Sequence, residues 1–214
     1  MKITLTDAGK RFNRDWIFQH LSFSFLPGES YAITGPNGCG KSTLLQAIAG
    51  SLMLSTGKLQ YESFITSSAS ETLANIPSES AYKHLSIAAP YLELIEEMTA
   101  VEFLNFHSQF KPLLPGADIL FILESVGLKT AAHKQIRYYS SGMKQRLKLA
   151  QAFFSDVSSI LLDEPCTNLD AQGIELYRKL VETYGKGRLL IVSSNDRQEY
   201  EFCRNQVSIM DYKP

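Results

Sequence analysis

The amino-terminal part of the chain alternates between apolar and polar residues, which is the pattern of half-buried β-strands. The alternation is clearest in Ser22-Phe23-Ser24-Phe25, which runs into the turn-forming pair Pro27-Gly28. Strands are predicted at residues 22–25, 30–34 and 57–61. Residues 63–80, which are rich in Ser, Thr and Glu, predict a surface loop with short structured pieces.

Apolar residues at helical spacing take over in four other places. These are residues 41–49, 99–126, 143–154 and 171–184, and the second run is broken at 112–116. Gly50 and Gly127 stand where helices are expected to stop. Further strands are predicted at 159–162 and 188–193. The sequence therefore predicts an α/β fold, one domain over residues 1–214, with a helical subdomain at about 91–150 inserted in the α/β core.

Composition narrows the class of protein. The 214 residues are 44% hydrophobic and 20% charged, with a formal net charge of −1. There is no basic stripe interleaved with aromatic residues, so nucleic acid is not expected as a partner. No apolar stretch approaches the roughly 20 residues that span a bilayer. Cys39, Cys166 and Cys203 are odd in number and lack metal-ligand spacing, which indicates reduced cysteines of a cytosolic protein.

Residues 35–42 match the phosphate-binding pattern G-x-x-x-x-G-K-[ST], between an apolar strand and a helix. The glycines let the backbone curl so that successive N–H groups face phosphate oxygens, and the helix adds its positive dipole end. Lys41 is expected to reach the β- and γ-phosphates, and Ser42 to place its hydroxyl on Mg²⁺. Cys39 has two interpretations: a reactive thiol at a helix N-terminus, or a small residue filling a crowded loop. The second is preferred.

Two carboxylates directly follow the predicted strand at 159–162, namely Asp163 and Glu164. Ionised acids rarely follow a buried strand without a charged partner, because removing a carboxylate from water is costly. A Mg²⁺–phosphate cluster would be such a partner. Asp163 is therefore expected in the Mg²⁺ shell, and Glu164 is expected to polarise the water that attacks the γ-phosphate.

Residues 139–146 (YSSGMKQR) resemble the signature sequence of ATP-binding-cassette (ABC) ATPases, L-S-G-G-Q/M-K-Q-R. The order of phosphate loop, signature, Asp163-Glu164 and Asn168-Leu169-Asp170 is also the family order, and the resemblance spans nearly the whole chain. It implies a P-loop NTPase core with an antiparallel β subdomain and a helical subdomain. It also implies that two such domains, as a homodimer or a heterodimer, pack head to tail around two ATP molecules.

The resemblance also implies roles for single residues. Ser140 and Gly142 would reach the γ-phosphate held by the partner domain, where a helix N-terminus faces an anion. Phe12 would stack on adenine, with Trp16 as the competing candidate. The implied nucleotide-binding residues are Phe12, Gly35, Pro36, Asn37, Gly38, Cys39, Gly40, Lys41, Ser42, Thr43, Ser140, Gly142 and Asn195, with Ser42 and Asp163 as metal ligands and Glu164 as the catalytic residue.

Three positions depart from the family pattern. Pro90 stands at the usual position of the Q-loop glutamine, and a proline side chain offers no ligand. Asn195 stands where the switch histidine is usual; it can donate a hydrogen bond but cannot carry a proton charge. Ser141 replaces a signature glycine, although its backbone N–H remains. These departures leave open a slow enzyme or the weaker half of an asymmetric pair.

The expected function is that of the ATP-binding and ATP-hydrolysing subunit of a transporter, which drives a separate membrane-spanning permease subunit. Residues 91–97 would either dock a cytoplasmic helix of that subunit or simply cover the chain's own core. The protein is expected in the cytoplasm, peripheral on the inner face of a cell membrane, and its ending soon after the last strand leans towards an exporter. The alternatives are a soluble ABC ATPase acting on nucleic acid or the ribosome, and a weakly hydrolysing, nucleotide-gated subunit.

Overall fold

The computed structural model describes residues 1–67 and 70–214, and its strands form two sheets. The strands are β1 (Lys2–Phe12), β2 (Asp15–Phe25), β3 (Ser30–Thr34), β4 (Thr56–Ser67), β5 (Ser70–Ile76), β6 (Leu85–Ala88), β7 (Ser159–Asp163), β8 (Leu189–Ser193) and β9 (Asn205–Ser208). The helices are α1 (Lys41–Ile48), α2 (Ala100–Ser108), α3 (Ile119–Ser125), α4 (Ser141–Phe154), α5 (Ala171–Tyr184) and α6 (Arg197–Tyr200). Short 3₁₀ turns lie at Ser78–Lys83, Lys129–Ala131, Ile136–Tyr138 and Ile209–Tyr212.

The two sheets differ in strand direction. One has the order β2-β1-β4-β5 with antiparallel pairs, and the other has the order β6-β7-β8-β3-β9 with parallel pairs. Every residue of β7 and β8 is buried, as expected for parallel strands covered on both faces. This architecture confirms the predicted α/β class with an antiparallel β part and helices.

Alternate side chains of the parallel sheet enter two separate cores. On β7, Ile160 and Leu162 pack with the helices that include α4 and α5, whereas Leu161 packs with α1 and the antiparallel sheet. The parallel sheet is therefore the layer shared by both cores. Because its strands are parallel, their carboxyl ends meet along one edge, and the loops that leave β3, β6, β7 and β8 gather there.

Helix boundaries follow the local capping chemistry. Thr99 and Glu102 form a reciprocal capping box at the start of α2, and Asp118 caps α3 by accepting a hydrogen bond from the Phe121 N–H. Gly127, at φ 70°, stands just beyond the end of α3, as predicted. Helices α2, α3 and α4 lie between β6 and β7 in the chain.

The prediction that residues 63–80 form a surface loop is wrong. Most of this stretch belongs to β4 and β5, which pair antiparallel from Tyr61↔Ile76 to Ser67↔Ser70. Ser68 and Ala69 lie outside the described residues. The error arose because Ser and Thr were counted as loop formers, although strand preference depends on cross-strand neighbours that composition does not reveal.

No helix in the described part of the chain has both the length and the apolar character needed to cross a membrane.

The contact between the two layers generates a stability prediction. Tyr61 on β4 is fully buried, and its hydroxyl donates a 2.9 Å hydrogen bond to the Ile48 carbonyl at the end of α1. Tyr61→Phe removes the donor and leaves that carbonyl unpaired. We expect the free energy of unfolding to fall by about 1 to 2 kcal/mol in urea denaturation. Tyr82→Phe, at an exposed tyrosine, is the control and should change little; equal effects of the two changes would contradict this role for Tyr61.

Candidate nucleotide-binding site

The phosphate loop joins β3 to α1 and has a backbone that requires glycine. Gly40 has φ 104°, and a Cβ built there would lie 2.2 Å from Ile17 Cγ2. Gly35 has φ 146°, and a Cβ there would lie 2.7 Å from Cys39 Sγ. Both positions combine a left-handed backbone with a close neighbour, so a side chain would disrupt the loop. Cys39 is buried against Gly35, which supports its interpretation as a small packing residue.

Lys41 points back into its own loop. Its Nζ donates to the carbonyl oxygens of Gly35 at 3.0 Å and Pro36 at 3.1 Å, and the residue is only 4% exposed. Among the described residues, no side chain caps the start of α1, so the N–H groups there are left for a ligand. An ammonium group beside open helix N–H groups forms a concave site for phosphate.

Asp163 ends β7 at the same edge of the sheet and is 2% exposed. Within the described part of the chain, its Oδ1 atom has no hydrogen-bond partner. Burial raises the pKa of Asp163 above its ordinary value, and the charge of Glu164 adds to the shift. The hydroxyls of Ser193 and Ser42 and the charge of Lys41 oppose it, although neither hydroxyl completes a hydrogen bond to Oδ1.

This arrangement fits a magnesium ion. A buried carboxylate oxygen without a partner is costly unless a cation or donor satisfies it. Ser42, the first residue after Lys41 in α1, is near enough to Asp163 to affect its pKa. Mg²⁺ in proteins is usually held by one or two protein oxygens together with phosphates and waters. The Ser42 hydroxyl and the Asp163 carboxylate are such a pair of oxygens.

Glu164 occupies a sharp turn immediately after β7. Its φ is 42°, an uncommon value for a residue other than glycine, which often marks functional sites. Its N–H donates to the Ser193 carbonyl at 2.9 Å, and its own carbonyl accepts from the Thr167 N–H at 3.1 Å. The turn is thus fixed on both sides, and the Glu164 side chain leaves the sheet beside Asp163.

Sequence reasoning missed Glu199 on α6. The residue is 5% exposed, and its carboxylate accepts a 2.7 Å hydrogen bond from the Cys166 N–H, two residues beyond Glu164. Burial raises the pKa of Glu199, while the Ser194 hydroxyl and the Cys166 N–H oppose the shift. Glu199 therefore ties the segment after β8 to the turn that carries Glu164. No local signal marks it, because its sequence neighbours are mostly polar.

The signature residues lie at the start of α4. Ser140 caps the helix by accepting a hydrogen bond from the Met143 N–H at 3.2 Å, and Arg146 forms a 3.1 Å ion pair with Asp170. A Cβ on Gly142 would lie 3.0 Å from the Asn168 carbonyl oxygen. Together these residues line a cavity of ≈ 320 Å³. No phosphate-loop residue lines that cavity, so the structure brings signature and Asn168–Asp170 together but not signature and Lys41.

Helix α4 also contacts the turn that carries the two carboxylates. Gln145 is 3% exposed and donates a 2.8 Å hydrogen bond from Nε2 to the Pro165 carbonyl. The signature and the Glu164 turn are therefore linked by a buried hydrogen bond as well as by the Arg146–Asp170 pair.

The two aromatic candidates for adenine stacking have different environments. Trp16 is partly buried, and its indole packs so close to Gly9 that a Cβ built on Gly9 would lie 2.9 Å from it. The Arg11 guanidinium lies 5.5 Å from the centre of the Trp16 ring. Phe12 is 47% exposed at the tip of the β1–β2 hairpin. Neighbouring Ile17 packs on Gly40, which places this hairpin beside the phosphate loop. Phe12 stays the predicted adenine contact, with Trp16 as the competing candidate.

The departures from the family pattern are also located. Asn195 is exposed just after β8, between Ser193 and Asp196. Pro90 is exposed in the loop that leaves β6, where its carbonyl accepts a 2.9 Å hydrogen bond from Lys148 Nζ.

Asp163 generates a pH prediction. Because its pKa is raised on folding, the native state holds this proton more tightly than the unfolded chain does. The tighter proton binding stabilises the folded state at low pH, and this stabilisation is lost as the pH rises through the raised pKa of Asp163. Asp163→Asn avoids the loss, so without nucleotide or metal it should unfold a few degrees above wild type at about pH 7.5. Scanning calorimetry should show this difference shrinking towards about pH 4, near the ordinary carboxyl pKa.

Asp211→Asn, at an exposed aspartate, is the matched control and should show no such difference. A lower unfolding temperature for Asp163→Asn at both pH values would contradict the prediction.

Comparison with known proteins identifies the family of this chain. The family model described as ABC transporter matches residues 18–167. An uncharacterized Bacillus subtilis ABC transporter ATP-binding protein, YhcH, is 30% identical over 97% of this chain and 66% of its own length; the chain thus spans about two thirds of that relative. The Xylella fastidiosa cytochrome c biogenesis ATP-binding export protein CcmA (strain Temecula1) is 32% identical over 77% of this chain and 72% of its own.

A solved Pyrococcus furiosus structure, named as an ABC transporter ATP-binding protein, has a TM-score of 0.81 at 18% identity and covers all of both chains. At that identity the likeness shows the fold alone. The match to the family model covers more than half of the chain, and the YhcH relative aligns along nearly all of it. This chain belongs to the ABC transporter family, as an ABC nucleotide-binding domain.

Proposed function

We propose that this chain binds MgATP and hydrolyses it as the ATP-binding subunit of a transporter, working in a head-to-tail dimer on a separate membrane-spanning partner. The observation that carries the proposal is the convergence of Lys41, Ser42, Asp163 and Glu164 at one edge of the parallel sheet. Names of relatives, such as the export protein CcmA, favour a transport role.

The residues divide the chemistry between them. Lys41 and the N–H groups of α1 hold the phosphates, and Phe12 lies against the base. Mg²⁺, when bound, neutralises phosphate charge and orients the phosphate oxygens. The Glu164 carboxylate accepts a proton from the attacking water. The oxygen of this water forms a bond to the γ-phosphorus at the same time. The bond from that phosphorus to the bridging oxygen breaks, and ADP keeps the electron pair.

The separation of the signature from the phosphate loop supports the proposed dimer. Ser140 and Gly142 line a cavity with Asn168–Asp170 that no residue of the chain's own phosphate loop enters. A helix N-terminus capped by Ser140 favours an anion. A γ-phosphate held by the Lys41 of a second domain is the anion that we propose for it.

The membrane partner would dock in a groove between the segment after β6 and helix α2. The groove measures ≈ 220 Å³. Its apolar lining includes Leu92, Ile95, Phe106 and Phe110, and the two phenylalanine rings lie 5.1 Å apart with exposed edges. Burial lowers the pKa of the lining His107 to about 4, so this side chain is neutral at physiological pH.

Charges around the groove indicate the kind of helix that fits it. Glu93 lines the groove together with Lys148, and Glu96 and Glu97 follow Glu93 in the same exposed segment. Glu96 pairs with Lys144 and Glu97 with Arg137, whereas Glu93 has no ion-pair partner in the described part of the chain. An apolar groove with an acidic edge is complementary to a short helix that carries apolar and basic residues. We assign that helix to the cytoplasmic side of the membrane-spanning subunit.

Glu164→Gln tests hydrolysis. The variant keeps the shape of the site but loses the carboxylate that accepts the proton. We expect ATP turnover by the purified chain to fall by about 100-fold or more, whereas binding of a fluorescent ATP analogue should persist. Because ATP is then retained, the variant with ATP and Mg²⁺ should elute as a dimer in gel filtration.

Glu182→Gln, at an exposed glutamate on α5, is the matched control and should keep full turnover. Equal turnover of wild type and Glu164→Gln would remove Glu164 from the mechanism. Absence of turnover in the wild type, with binding intact, would instead favour a nucleotide-gated subunit, for which Pro90 and Asn195 are the observations.

Copurification tests the membrane partner. The tagged chain, recovered from gently solubilised membranes of its host, should bring a multi-span protein in stoichiometric amount. The double change Phe106→Ser and Phe110→Ser should reduce that recovery by about tenfold or more, since aromatic anchors dominate such interfaces. Leu120→Ser, an exposed apolar residue outside the groove, is the control. Recovery of the wild type with ribosomes or DNA would overturn the transport role.

A further inference from the structure

The turn that carries Glu164 has an unfavourable backbone conformation. Glu164 has φ 42°, which is uncommon for a residue other than glycine. The next residue is Pro165, and a residue before proline is restricted further, towards extended conformations. Such a conformation persists only where the surrounding structure holds it in place. The contacts around this turn therefore decide where the Glu164 side chain lies.

Three elements hold the three successive residues of the turn. At its start the Glu164 N–H bonds the end of β8, and in its middle the Pro165 carbonyl accepts a hydrogen bond from α4. At its end the Cys166 N–H donates to the Oε1 atom of Glu199 on α6 at 2.7 Å. The end of the turn is therefore held by one side chain, the carboxylate of Glu199, which is 5% exposed.

The backbone of Glu199 is itself fixed, so its carboxylate approaches Cys166 from a defined position. The Glu199 N–H donates to the Asp196 carbonyl at 3.1 Å. The Glu199 carbonyl accepts a 2.7 Å hydrogen bond from the hydroxyl of Tyr177, a fully buried residue of α5. Because the backbone cannot follow the side chain, the length of the side chain determines whether an acceptor reaches the Cys166 N–H.

Helix α6 begins two residues after Asn195, the expected donor to the γ-phosphate. The loop around Asn195 is held to β3, because the Ser194 N–H donates to the Ile33 carbonyl at 3.2 Å. The carboxylate of Glu199 joins this loop to the turn that carries Glu164. Two groups that are expected at the same γ-phosphate are therefore linked by one buried side chain.

We propose that Glu199 is a positioning residue for ATP hydrolysis, whose buried carboxylate holds the Cys166 N–H and so keeps the Glu164 carboxylate aimed at the attacking water. This inference rests on the proposed function, because Glu199 acts only through Glu164. Nucleotide binding does not depend on it, since Lys41 and the open N–H groups of α1 follow a different strand, β3.

Two substitutions separate the reach of the side chain from its charge. Glu199→Gln keeps the reach and an oxygen that accepts from the Cys166 N–H, but it is neutral. Glu199→Asp keeps the carboxylate but is one methylene shorter, so its oxygen falls short of that N–H. We expect kcat for ATP to stay within about threefold of wild type in Glu199→Gln and to fall by about tenfold to 100-fold in Glu199→Asp, because small misplacements of a reacting group cost that much. Affinity for a fluorescent MgATP analogue should match the wild type in both, since only an interaction of the transition state is lost.

Adding Glu199→Asp to Glu164→Gln shows whether Glu199 acts through Glu164. The double variant should turn over as slowly as Glu164→Gln alone, because the group that Glu199 positions is already lost. A residue that merely supports the fold would lower the residual turnover again by a similar factor. Glu201→Asp, at an exposed glutamate two residues further on, is the matched control. It should keep full kcat, because its contact is a surface ion pair with Arg178 at 3.2 Å.

The outcomes separate the two proposals. If the wild type hydrolyses ATP and Glu199→Asp matches it, the role of Glu199 is overturned and the proposed function stands. A fall in kcat of about tenfold or more in Glu199→Gln, with binding intact, would also overturn that role, and it decides the matter even if Glu199→Asp does not fold. If the wild type binds nucleotide without turnover, the proposed hydrolysis is overturned, and the role of Glu199 with it.

Discussion

The site depends on one buried carboxylate that the protein leaves unsatisfied. Asp163 lies at the end of a fully buried strand, and its Oδ1 atom has no partner among the described residues. Such a group weakens the ligand-free fold, because its charged form has lost water without gaining a full set of hydrogen bonds. A cation bound to this oxygen would restore the balance, and its binding would then also stabilise the end of the parallel sheet.

Sequence reasoning found the parts of the site that local chemistry defines. The phosphate loop and the Asp163-Glu164 pair each follow an apolar strand, so motif and context could be recognised together. It missed Glu199, which is buried only through tertiary contacts between α6 and the turn after β7.

The same distinction explains the fold prediction. Helices α1 and α5 and strand β7 have strong local signals, including a stop at Gly50 and an unbroken apolar run, and they lie where the patterns indicate. The β4–β5 hairpin has only a weak local signal, because its strands are fixed by pairing with each other and, for β4, with β1. Long-range pairing of polar segments is what a single sequence reveals least.

Helix α4 contacts three separate parts of the site. Its first residue, Ser141, adjoins the signature cavity. About one turn later Gln145 donates a hydrogen bond to the Pro165 carbonyl. Lys148, three residues further on, donates to the carbonyls of Ala89 and Pro90. Fourteen residues form a rod about 21 Å long, and a regular helix bends little over that span. A small tilt at one end would therefore shift both the carboxylate turn and the loop before the groove. A single stiff element would then couple the signature cavity to the carboxylate turn and to the loop that leaves β6.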